Sequence, residues 1–112
     1  MLNSKIARRA LSVSLAVLSL LVITVLWREQ LIASGLLLVI GAGLMAVNWH
    51  RKLPYIYILA GVGGPVAEII SIHAGAWMYA EPWYLGVPLW LPFLWGNAAL
   101  FIARWRSGED VL

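Results

Sequence analysis

Four long apolar stretches take up nearly the whole chain, at residues 10–27, 31–49, 53–79 and 85–105, with only a few polar residues between one and the next. A helix rises ~1.5 Å per residue and needs about 20 residues to cross a hydrocarbon core of about 30 Å, so each stretch is long enough to span a bilayer. Connections this short leave no room for a soluble domain and force neighbouring helices to run antiparallel. The expected fold is all-α: an integral membrane protein forming a four-transmembrane-helix antiparallel bundle, with residues 1–112 as a single domain.

Charge patterning supports the bilayer as the first partner. The chain is 62% hydrophobic and only 12% charged, and its net charge of +3 is placed by topology and needs no nucleic acid to explain it. Lys5, Arg8 and Arg9 precede the first stretch, Arg51 and Lys52 join the second to the third, and Arg104 and Arg106 follow the fourth. Seven of the eight basic residues therefore fall on one side, with only Arg28 on the other. By the positive-inside rule both termini are cytoplasmic, N-in and C-in, and the expected location is the inner membrane of a bacterial or archaeal cell. Trp27, Trp49 and Trp105 sit at span ends, where an indole favours the headgroup region. The basic start followed by an apolar run resembles a signal peptide, but the run is too long and lacks a clear small-x-small cleavage site, so it reads as a span. The absence of cysteine excludes disulfides, thiolate metal sites and cysteine nucleophiles. Phosphate loops, nucleophile triads and zinc-ligand spacings are also missing, and no cofactor or metal is implied.

The first two stretches read as scaffold. Ser12 and Ser19 share a face of the first, and Gly35, Gly41, Gly43 and Ala46 give the second small surfaces suited to close packing. The third differs in kind. Taking 100° per residue, Tyr57, Gly61, Gly64, Pro65, Glu68, Ser71, Ile72, Gly75 and Tyr79 fall on one arc, a face poor in bulk that lets another backbone or a flat ligand approach Glu68. A carboxylate inside a spanning segment is costly and marks a functional site by default, which makes Glu68 the candidate catalytic residue. Pro65 removes a backbone hydrogen bond just before it and is expected to kink the helix. His73, five residues on, points about 140° away from Glu68 on a regular helix.

The last third is dense in aromatics and prolines. Glu81-Pro82 marks the turn out of the third span, Pro88 suits the opening of the fourth, and Pro92 is expected to bend the fourth from within. Trp77, Tyr79, Trp83 and Tyr84 fit an interfacial belt, whereas Trp90, Trp95 and Asn97 lie too far along for a belt and read as pocket walls.

Read together, Glu68-Ile-Ile-Ser-Ile-His73-Ala-Gly75, Tyr79, and Leu85-Gly86-Val87-Pro88-Leu-Trp-Leu-Pro92-Phe-Leu-Trp95 resemble the carotenoid hydratase family of integral membrane proteins and small membrane proteins related to it. The resemblance implies water addition to, or rearrangement of, a polyisoprenoid double bond, a hydratase- or isomerase-type acid catalysis. Glu68 would protonate the alkene. Trp77, Trp90 and Trp95 would offer ring faces to the resulting cation, with Tyr79 nearby and Asn97 or His73 positioning water. The substrate-binding candidates are thus His73, Trp77, Tyr79, Trp90, Trp95 and Asn97, and the expected ligand is an isoprenoid or another apolar lipid. Two other readings stand beside this one. Small-residue faces suit a structural or assembly subunit within a homo- or hetero-oligomer. A small proton-coupled transporter would also carry one membrane glutamate, but the strong basic bias fixes a single orientation, and known small multidrug transporters place that residue in their first helix.

Overall fold

The computed structural model describes residues 4–107, with side chains through residue 103, so the expectations for the side chains of Arg104, Trp105 and Arg106 lie outside the described residues. Four helices follow one another: α1 (Lys5–Leu26), α2 (Gln30–Val47), α3 (Leu53–His73) and α4 (Leu91–Ser107). No strand is present among the described residues beyond one isolated bridge, between Tyr84 and Val87. α1, α2 and α3 are long and apolar enough to cross a membrane. Among the described residues α4 is a shorter apolar helix, its apolar part running from Leu91 to Ala103, so three of the four expected spans meet that measure. Val25, Leu31 and Leu59 are among many large aliphatic side chains left exposed. Such a surface would aggregate in water and matches the chemistry of lipid tails.

Local chemistry sets the helix ends. The Ser4 hydroxyl caps α1 by accepting from the Ala7 amide at 3.2 Å. Pro54 falls in the first turn of α3, where its missing N–H is no loss. α3 was expected to run to residue 79 but stops at His73. The cause is Gly75, whose φ of +90° lets the Ala76 amide reach the Ser71 carbonyl and the Gly75 amide reach that of Ile72, both at 3.0 Å. This is a Schellman stop, and glycine enters the left-handed region without strain.

The fourth helix begins at Leu91, six residues later than expected. Tyr84 and Val87 exchange backbone hydrogen bonds of 3.1 and 3.0 Å around Leu85 (φ +54°) and Gly86 (φ +92°). Two positive φ values in sequence are the signature of a tight primed hairpin turn. Pro92 then becomes the second residue of α4, where no intrahelical bond is lost. The expected bend there is therefore absent. Pro65 does lie inside its helix, and α3 continues through it without interruption.

α4 is the hub of the packing: α3 lies along it, and α1 and α2 contact both it and each other. Leu37, Leu44, Leu53 and Leu100 are the largest fully buried aliphatic side chains. Gly61 faces the Pro92 carbonyl and Tyr57 lies across Gly96, so α3 and α4 run antiparallel with Gly61 level with the start of α4. The same level holds the end of α1 and the start of α2, because Trp90 Nε1 donates to the Trp27 carbonyl (3.1 Å) and the Leu89 amide to Gln30 Oε1 (2.6 Å). α3 continues twelve residues past Gly61, or ~18 Å at the standard rise, and projects beyond its neighbours.

Candidate functional site around Glu68

Glu68 rides on that projection. It stands seven residues past Gly61, ~10 Å beyond the start of α4, and five residues from the end of its helix. Because α3 ends at His73 and not at residue 79, the carboxylate is near one end of the segment.

The small-residue face of α3 is there as far as Ile72, with Gly75 and Tyr79 falling beyond the helix end, and α4 covers it at Gly61 and Gly64. The Trp95 indole lies so close over Gly64 that any side chain at that position would overlap the ring. From there Trp95 Nε1 donates to Glu68 Oε2 at 2.6 Å, while the Tyr79 hydroxyl donates to Oε1. The flat group that the bare stripe admits next to Glu68 is thus the protein's own indole. Tyr79 in turn meets Trp90 edge-on, with ring centroids 6.1 Å apart and planes at 87°.

Electrostatically the arrangement is that of a held acceptor. Each carboxylate oxygen receives one neutral donor, and each keeps lone-pair capacity for another. Glu68 is half-buried and Trp95 is 39% exposed, so this capacity is reachable from the surface of the helix pair. Burial, followed by the hydrogen bond to Glu68 and its charge, pushes the Tyr79 phenol well above its ordinary range. Tyr79 therefore remains a donor throughout physiological pH.

The remaining sequence candidates separate. Trp90 is buried and touches the site only through Tyr79, its indole N–H being committed to α1. His73 is exposed and places Nδ1 3.0 Å from the Ile69 carbonyl of its own helix, consistent with its divergence from Glu68. Trp77 is 45% exposed in the α3–α4 connection and is not one of the donors to the carboxylate. Asn97, only 2% exposed, faces the opposite side of α4, where Nδ2 donates to Ser19 Oγ (3.2 Å) and to the Leu37 carbonyl (2.9 Å). Its Oδ1 lies against Gly41 without a hydrogen-bond partner. Asn97 therefore packs against α1 and α2, away from Glu68. Among the described residues no three His, Asp or Glu side chains converge in a way that could hold a metal ion.

Sequence reading overlooked Gln30. From the first position of α2 it donates to the Glu81 carbonyl (2.7 Å) and accepts from the Leu89 amide, pinning both arms of the hairpin. A long polar side chain in the first turn of an otherwise apolar span was the available signal. No protein-family model, no curated protein and no solved structure matches this chain.

Proposed function

We propose that this chain is a multi-pass membrane protein with both termini on the cytoplasmic side of a bacterial or archaeal inner membrane, its helices forming an antiparallel bundle. In this reading it binds a polyisoprenoid- or carotenoid-like lipid at Glu68. The observation that carries the reading is the double hold on the carboxylate, by Tyr79 Oη and Trp95 Nε1, at a half-exposed position among aromatic rings. Orienting a carboxylate this way costs side-chain freedom and leaves acceptor capacity directed outward. That suits a long apolar molecule with a hydrogen-bond-donating end, such as a hydroxyl, which Glu68 anchors while Trp95 lies along the chain. If double-bond chemistry follows, Glu68 first takes up a proton and passes it to the alkene while Tyr79 orients the carboxyl group, and the resulting cation is closed by addition of water, which returns a proton, or by loss of a proton to the carboxylate.

A second reading, a structural or assembly subunit, draws on the packing of α3. It rests on α4 and leaves Gly63 and Ala67 uncovered, a small-residue surface open to another helix. One experiment separates the two. The protein and Glu68→Gln are purified in mild detergent, and bound lipids and proteins are identified by mass spectrometry. The lipid reading expects a near-stoichiometric polyisoprenoid that falls at least about tenfold in Glu68→Gln, with insertion unchanged, corresponding to loss of a charged hydrogen bond. A wild-type sample with no polyisoprenoid but a stoichiometric protein partner would replace it with the second reading.

A further inference from the structure

The end of the molecule away from Glu68 carries an organisation of its own. Lys5, Arg8 and Arg9 lie in the first turns of α1, and Arg51 and Lys52 in the turn between α2 and α3. The Asn48 amide donates to Ser12 Oγ at 2.7 Å, fastening the end of α2 to the start of α1, so five cations share one end of the fold. The backbone of α4 brings Arg104 and Arg106 to the same end. All three acidic residues among the described residues, Glu29, Glu68 and Glu81, sit at the opposite end. Lys5, Arg51 and Lys52 are exposed, and the adjoining turns of α1 and α3 carry exposed apolar side chains: Ile6 and Val13 on α1, and Tyr55, Ile58 and Leu59 on α3.

A partner that complements this surface needs negative charge at one end and hydrocarbon adjoining it. A nucleic acid or an acidic peptide would meet the cations alone. We propose that this basic collar binds the phosphate headgroups of anionic phospholipids, whose acyl chains lie along the flanks of α1 and α3. Attraction to a single headgroup is modest per cation and adds up over a cluster. The collar is independent of the site at Glu68 and does not rest on what binds there.

The test is binding of phosphatidylglycerol against phosphatidylcholine of identical chains to the detergent-purified full chain, followed by native mass spectrometry and thermal unfolding. Phosphatidylglycerol is expected to bind about tenfold or more tightly than phosphatidylcholine. Arg51→Gln/Lys52→Gln should remove about tenfold of that preference and leave phosphatidylcholine binding unchanged, whereas Arg28→Gln at the other end should change neither. Raising NaCl to about 0.5 M should erode the preference of the wild-type chain in the same way, because exposed charges are screened. Equal binding of the two lipids, or an undiminished preference in the double variant, would overturn the proposal. So would full competition by inorganic phosphate, which would make the collar a free-anion site.

Discussion

Two adjacent glycines make opposite demands on their surroundings. Gly63 has nothing within 4 Å of where a side chain would begin, whereas Gly64 is pressed against Trp95. Gly63→Ala should therefore stabilise the protein by roughly 0.5–1 kcal/mol through helix propensity alone. Gly64→Ala should cost about 1–3 kcal/mol by overpacking and should release Trp95 from Glu68. Denaturant unfolding of the two variants checks this, and equal effects would mean that the indole does not occupy that face. Glu68 and its small-residue stripe were legible in the sequence because helical periodicity is fixed geometry. Which ring would fill the stripe was not, since the periodicity of α3 does not say whether Trp90, just before α4, or Trp95, within it, folds over that face. Asn97 shows the same limit: an amide in an apolar helix signals a partner, but its partners, Ser19 and Leu37, are far away in the chain.

At the level of elements, the α3–α4 connection, residues 74–90, has almost no regular structure and is held by side chains. Tyr79 ties it to α3 and Gln30 ties both hairpin arms to α2. Gln30→Ala removes two hydrogen bonds and should cost about 1–3 kcal/mol, concentrated in this segment. Hydrogen exchange at Leu89 should accelerate by at least about tenfold while amides in the middle of α2 remain protected, and uniform acceleration would argue against a local clamp. Both boundary errors in the sequence reading occur here. The stop at Gly75 follows a recognised pattern, a glycine just past the last helical turn, but the apolar composition of Ala76-Trp-Met-Tyr79 masked it. Leu85 was the harder case, because leucine rarely takes a positive φ and nothing local announces a primed turn without Asn or Asp. Long apolar periodicity identified helices reliably, and aromatic loops imitated it.

For the whole molecule, the basic collar and the Glu68 end lie at opposite extremes of a shape extending 45 × 26 × 18 Å. The chain has no cysteine, so single introduced thiols report their side without background. With the proposed orientation, Ala80→Cys should react with a membrane-impermeant maleimide in intact cells, and Trp49→Cys only after permeabilisation. Reaction of both from the same side would refute that arrangement. The uneven helix ends have one more consequence. α3 overshoots the starts of α2 and α4, so a bilayer matched to those helices leaves the last turns of α3 among the headgroups. Lipids with longer tails would draw the carboxylate toward hydrocarbon, and shorter ones would bathe it in water, at a small mismatch cost per ångström. In the proposed membrane arrangement, bilayer thickness would act as a physical control on the one acidic group of α3, exercised without any contact to it.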